Sequence, residues 1–258
     1  MPRGPRKRSR SGVYHVMIRG VNKTLIFLDE EDKRYFLQVL FKVQKISGFI
    51  LFAYCIMDNH VHLVIKEGDE LLPEIMKRIN VRYATYFNKK YGRVGYLFQS
   101  RYRSETIETD SRLIECIRYV HNNPCKAYLV HQPDGYLWSS YRAYLEKEEG
   151  TKLLDTEFVL GLFANIRSVA QKKFAIFSAL DAEDNFIDIE KDLDEKRREA
   201  EVVIKEILAK HKITTESLAS TNLALRAQIL REIREKVNLP AKVLAEMLGV
   251  SVHLIYRA

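Results

Sequence analysis

Cysteine is scarce in this chain: Cys55, Cys116 and Cys125 are the only three in 258 residues. The number is odd and no two are spaced as CxxC, which argues against a disulfide framework or a zinc knuckle. Cys55 and Cys116 sit in apolar stretches and read as small core residues. No apolar run is long enough to cross a bilayer, and no signal-peptide segment follows the basic start. The expectation is a soluble intracellular protein with no membrane partner. No internal repeat is visible. Negative charge is also short, but only in the first part. Residues 1–150 hold 25 Lys+Arg against 17 Asp+Glu, and residues 151–258 hold 17 against 17. The whole net charge of +8 therefore lies in the first 150 residues. Such a bias suits a polyanion, and nucleic acid is the commonest one inside a cell; solubility alone is the plain alternative. At 47% hydrophobic residues, the chain has enough apolar material for a packed core.

The order of elements follows from periodicity and punctuation. Residues 1–12, with Arg3, Arg6, Lys7, Arg8 and Arg10, read as a flexible basic arm. Val13 to Arg19 reads as a strand. Asp29 caps a helix that buries Phe36, Leu37, Leu40 and Phe41 and ends at Gly48. Phe49 to Met57 and His60 to Lys66 are strands joined by the Asp58-Asn59 turn. Leu71 to Tyr91 is a long helix with Leu72, Ile75, Met76, Ile79 and Tyr83 inward. Arg103 to Glu108 is a fourth strand. Asp110 caps a further helix, with Leu113, Ile114, Ile117 and Val120 buried, stopped by Pro124. The first six elements make a ferredoxin-like β-α-β-β-α-β unit, an α+β domain over residues 13–148. Its two helices must cover one sheet face, leaving the other for a site and the extra helix. Residues 149–200 read as a helical and charged linker, and 201–258 as an all-α module.

His60-Val61-His62 carries the chemistry. Residues two apart on a strand point to one side, so the two imidazoles share a face with Val64. Val61, Leu63 and Ile65 take the apolar side. Two neighbouring imidazoles on a rigid strand are ready metal ligands. An HxH pair alone is more often two polar residues on a half-exposed strand. Tyr119 alters that balance. A phenol is a weak nucleophile at neutral pH, with a pKa of about 10. A metal at the phosphate stabilises the transition state and favours the phenolate. Attack then stores the bond energy in a covalent link.

Several strings then resemble one family. Tyr14-His15-Val16 with Arg19-Gly20, and Met57-Asp58-Asn59-His60-Val61-His62-Leu63-Val64, resemble the opening of the IS200-like transposase domain. Phe98-Gln99-Ser100-Arg101-Tyr102 and Arg118-Tyr119-Val120-His121-Asn122-Asn123-Pro124 resemble its later motifs. The similarity spans roughly residues 13–145 and is to the REP-associated tyrosine transposase branch of these single-tyrosine HUH enzymes. It implies a strand transferase that cuts and rejoins single-stranded or hairpin DNA through a 5′-phosphotyrosine. It implies Mg2+ or Mn2+ held by His60 and His62, with Tyr119 as nucleophile. Oxygen ligands suit Mg2+ better than imidazoles do, so the metal's identity rests on the family. The resemblance also implies a third ligand one helical turn after the tyrosine, at Asn123. Pro124 disfavours helical geometry there, and His121 or a water is the substitute. A cytoplasmic, nucleoid-associated protein follows, as monomer or homodimer.

Basic and aromatic residues interleave from Lys89 to Arg103, a pattern that suits unpaired bases and phosphates. Given the family, Arg101 and Arg103 are assigned to DNA, with Arg19 and Gln99 near the site. Tyr96, Phe98 and Trp138 are assigned to packing. Leu239 to Ser251 resembles a helix-turn-helix. Pro240 opens a helix, Ala245 allows a close crossing, Gly249 allows the turn, Ser251 caps the next helix and Ile255 buries it. His253, Tyr256 and Arg257 are its candidates for contacting duplex DNA; a docking module without DNA contact is the alternative. Two other functions remain open at this point. One is a catalytically inactive DNA-binding regulator on the same domain. The other is a replication-initiator or relaxase-like nicking enzyme.

Overall fold

The computed structural model describes residues 7–145, 153–180, 186–187, 189–218, 221–237, 239 and 241–257. The expectations for Arg3, Arg6 and Pro240 fall outside these residues, as do those for the side chains of Tyr256 and Arg257. The chain divides into two compact units, 1–187 and 188–258.

In the first unit the strands are β1 (Val13–Arg19), β2 (Ile50–Ile56), β3 (His60–Lys66) and β4 (Arg103–Ile107). They form one antiparallel sheet in the order β2-β3-β1-β4. Helices α1 (Glu30–Ser47) and α2 (Leu72–Lys90) complete the expected β-α-β-β-α-β unit. Both helices cover one sheet face. There Phe36, Val39, Leu40 and Val43 of α1 and Ile75, Met76, Ile79 and Tyr83 of α2 meet Val16, Ile18, Val61, Leu63 and Ile65. The ends of α1 are set by sequence. Asp29 accepts from Asp32 N at 2.9 Å, and Gly48 takes the left-handed conformation with φ 63°.

Helix α3 (Asp110–Lys126) lies on the opposite face and packs on β2 and β3. Two sequence expectations need correcting here. Thr109, not Asp110, caps this helix, accepting from Arg112 N at 3.2 Å. Asp110 instead occupies the first turn, where its charge complements the positive end of the helix dipole. The helix also runs through Pro124 to Lys126. Proline here removes one backbone donor within the last turn, and its ring is buried, so packing offsets the lost bond.

Three short helices close that face: α4 (Tyr141–Leu145), α5 (Thr156–Gly161) and α6 (Arg167–Ser178). Val159, Leu160, Ala170 and Phe174 enter the same core as α3, and Phe174 stacks on Tyr144 at 4.6 Å. Leu153 and residues 156–178, which the sequence reading placed in a linker, are therefore part of the first unit's core.

The second unit holds α7 (Ile189–Lys210), α8 (Thr215–Leu218), α9 (Leu223–Lys236), α10 (Ala241–Leu248) and α11 (Val252–Arg257). Its core gathers Ile204, Leu208, Ile229, Ile233, Leu244, Leu248 and Ile255. Gly249, with φ 61°, turns the chain between α10 and α11, and Ala245 is buried. Among the described residues no helix is long and apolar enough to cross a membrane.

Candidate active site

The turn before β3 fixes where the imidazoles stand. Met57 N donates to His60 O at 2.9 Å, and Asp58 O accepts from Ile26 N and Phe27 N at 2.8 and 3.0 Å. The Asp58 carboxylate pairs with Lys33 at 2.7 Å. From this anchored start, alternation sends Val61, Leu63 and Ile65 into the α1/α2 core and places His60 and His62 on the α3 side. Their rings lie 5.0 Å apart, centre to centre, and nearly perpendicular.

Tyr119 comes to the same face from α3. Its ring centre is 5.8 Å from that of His62 and 5.7 Å from that of His15. His15 reaches the group because β1 and β3 are antiparallel neighbours. It stands opposite Val64, two residues from His62 and on the same side. The two rings stack at 5.1 Å, and His15 Nε2 lies 2.9 Å from His62 Nδ1. His62 and His15 are fully buried. Burial above all, then the neighbouring His60 and His15, hold His62 well below its usual pKa, so its imidazole is neutral. His62 Nε2 is buried and has no hydrogen-bond partner among the described residues.

Tyr119 is also buried, with no exposed surface. Its hydroxyl donates to Ile187 O at 3.2 Å, and Phe186 lies 5.3 Å from its ring. This cover is itself held: Ile187 N donates to Glu105 at 3.3 Å, and Arg112 sits 3.6 Å from the centre of the Phe186 ring. Lys126, two turns along α3, lies 4.6 Å from the centre of the Tyr119 ring.

Asn123 is helical and largely buried, one turn beyond Tyr119, and its amide nitrogen donates to Tyr119 O at 3.0 Å. Its side-chain oxygen is the atom left to face a cation. His121 points elsewhere: its Nε2 lies 2.7 Å from Ser140 Oγ, among Tyr141, Tyr144 and Phe174. It is not placed to substitute for Asn123.

Arg19 stands opposite His60 in the sheet, and its guanidinium donates to the Gln99 side chain. Gln99 N in turn donates to Arg19 O at 3.0 Å. Arg103 pairs with Met17, which also faces His62, so Arg103 shares the imidazole face. Arg101 is exposed in the preceding loop. Phe98 and Trp138 pack on the core as expected. Tyr96 does not: it is 91% exposed, next to Gly95, which takes a positive φ of 100°. In the second unit His253 is exposed on α11. Sequence reasoning gave no role to His15, Phe186 or Ile187. His15 lay inside a quoted motif, but only strand register brings it to His62.

Known proteins resemble this chain in family pattern and in fold. Residues 9–123 match the family described as Transposase IS200 like. A solved REP-associated tyrosine transposase bound to a REP hairpin has the same fold, with TM-score 0.51 and 16% identity, covering 73% of this chain and 99% of that one. A candidate transposase from Deinococcus radiodurans R1 is similar at 18% identity and TM-score 0.34, over 46% of this chain and 96% of that one. A search of curated proteins gave no match.

Proposed function

We propose that this chain, which carries an IS200-like transposase domain over residues 9–123, cuts and rejoins single-stranded DNA through Tyr119. The observation that carries this reading is the meeting of Tyr119, from α3, with the His60/His62 pair of β3 on one sheet face. The residues fit a divalent cation. His62 is neutral, and its Nε2 is buried without a hydrogen-bond partner among the described residues. His60 stands beside it, and Asn123 follows Tyr119 by one turn. A Mg2+ or Mn2+ ion held there would draw charge from a bound phosphate and favour its attack by a phenol oxygen.

In the reaction the Tyr119 oxygen bonds to phosphorus and the bond from phosphorus to the 3′ oxygen breaks. The phenol gives up one proton and the leaving 3′ oxygen takes one up, so no oxidant or water is consumed. The 5′-phosphotyrosine keeps the energy of the broken bond, and a 3′-hydroxyl can attack it to rejoin the strand. Arg19, Gln99 and Arg103, near the imidazole face, and exposed Arg101 would hold phosphates or unpaired bases. The substrate is a single-stranded or hairpin DNA, of the kind seen with the REP-associated relative. Exposed His253 on α11 gives the second unit a residue that can reach duplex DNA.

One condition comes with the geometry. Tyr119 is sealed by Phe186 and Ile187, so a phosphodiester reaches it only after these residues move. A sealed nucleophile also suits a regulator that binds DNA without cutting it. A labelled hairpin oligonucleotide incubated with the protein and Mn2+ separates the two readings. A covalent adduct that is lost in Tyr119→Phe and in His60→Ala supports the transferase. Tight binding with no adduct, in the wild type and with the cover opened by Phe186→Ala, sinks it in favour of the regulator.

A further inference from the structure

Each imidazole of the pair has one ring nitrogen engaged by a neighbour. His60 Nδ1 lies 2.7 Å from Asn59 Oδ1, and His62 Nδ1 lies 2.9 Å from His15 Nε2. A carboxamide oxygen has no proton to give, so the proton of the first bond sits on His60 Nδ1. A cation-binding lone pair of His60 then has to be the one on Nε2. In the second bond only one of the two facing nitrogens carries the proton. With the proton on His62 Nδ1, the lone pair of His62 also sits on Nε2, the buried atom that has no hydrogen-bond partner among the described residues. With the proton on His15, His62 Nε2 carries the N–H and cannot bind a cation, so only the first arrangement is compatible with the ligand role.

We propose that Asn59 and His15 are positioning residues that accept hydrogen bonds from the Nδ1–H groups of His60 and His62 and so present both Nε2 lone pairs to one cation. The proposal rests on reading His60 and His62 as metal ligands. It goes further by naming the two residues that set their tautomers, through the hydrogen bond to the non-ligating ring nitrogen. The construction is rigid at His15. Its ring is fully buried, stacked on His62 and bracketed by Tyr119 at 5.7 Å and Phe186 at 5.9 Å. At Asn59 it is local: the acceptor is the residue before the ligand, in the turn that opens β3.

Long-range 1H–15N spectra of the metal-free full chain read each histidine's tautomer directly. His60 and His62 are both expected in the Nδ1–H form. In His15→Leu, His62 shifts to the Nε2–H form, and Mn2+ affinity, followed by electron paramagnetic resonance, falls about 10–100-fold. His15→Gln offers a carboxamide oxygen in place of Nε2 and restores affinity to within a few-fold. Asn59→Leu weakens Mn2+ binding by a similar factor, and Asn59→Asp, which keeps an acceptor, restores it. Wild-type His62 in the Nε2–H form overturns the proposal. So does His15→Leu or Asn59→Leu binding Mn2+ as tightly as wild type. If His15→Leu fails to fold, the wild-type spectrum and the His15→Gln titration still decide. His62→Ala tests the ligand reading separately: unchanged Mn2+ affinity there removes that reading, whereas the metal-free wild-type spectrum judges the tautomers on their own.

Discussion

At the scale of single residues, Tyr119 has two roles that can be separated. Its hydroxyl is the proposed nucleophile and also donates to Ile187 O. Tyr119→Phe is therefore expected to abolish adduct formation while costing only about 1 kcal/mol of stability, the net value of one such bond. Adduct yield on a denaturing gel and a urea titration measure the two effects. A larger loss of stability would mean that the phenol is mainly structural. Gly20 is a second residue with a definite constraint. A Cβ there would lie 2.2 Å from Thr24 O and 2.8 Å from Ile26 Cγ2. Gly20 N also donates to Asn59 O at 3.0 Å, beside the proposed site. Gly20→Ala should cost about 2 kcal/mol by overpacking and should shift the loop that carries Asn59. Denaturant midpoints, with the His60 tautomer as a local probe, would show it, and a neutral substitution would contradict it. The residue scale also shows what sequence could and could not reveal. His60 and His62 were legible because a period of two is a local property. His15 was not, because its contact with His62 spans 47 positions and exists only through the register of β1 on β3.

At the scale of elements, strands and helices followed their sequence signals closely where the signal was local. Asp29 and Gly48 bound α1, and alternation around the Asp58-Asn59 turn gave the β2–β3 pair. The rule that failed was the proline stop in α3. Leu113, Ile117, Val120 and Pro124 lie on one buried stripe, and tertiary packing carried the helix past its breaker. That continuation keeps Asn123 helical, with its side chain on the turn after Tyr119. The cover over Tyr119 was illegible for a related reason. Phe186 and Ile187 lie more than 60 residues beyond the tyrosine and follow a charged segment that offers no pattern pointing back to α3. Yet Phe186 packs on Tyr119, His15 and Arg112 together. Phe186→Ala should loosen this cover and raise the rate of adduct formation several-fold in Mn2+, with hairpin affinity changed little. A single-turnover time course measures it. An unchanged or slower rate would mean that the cover is not what limits access to the phenol.

At the scale of the whole molecule, the two units should respond to acid at different pH. In the first unit, burial lowers the His121 pKa to about 3, and burial with neighbouring histidines holds His62 well below its usual value. In the unfolded chain both titrate near 6.5. Between that value and the folded ones the unfolded state binds more protons, so the stability present at neutral pH is lost as pH falls below about 6.5. The slope approaches about 1.4 kcal/mol per pH unit for each histidine. The second unit has a different switch. Hydrogen bonds from Lys210, His211 and Lys236 lower the Glu232 pKa from 4.5 to about 2. Its contribution is present above 4.5 and is lost only as pH falls from there towards 2. The interval from pH 6.5 to 4.5 should therefore weaken the first unit selectively. The chain's one tryptophan, Trp138, packs on the first unit's core and reports that unit alone. In urea titrations of the metal-free protein, the Trp138 fluorescence midpoint should fall steadily between pH 7 and pH 5. The remaining far-UV helical transition should hold its midpoint over that range. If both midpoints move together, or the Trp138 midpoint stays flat, the buried histidines are not neutral in the folded chain. His62 would then lack the lone pair that its proposed role requires.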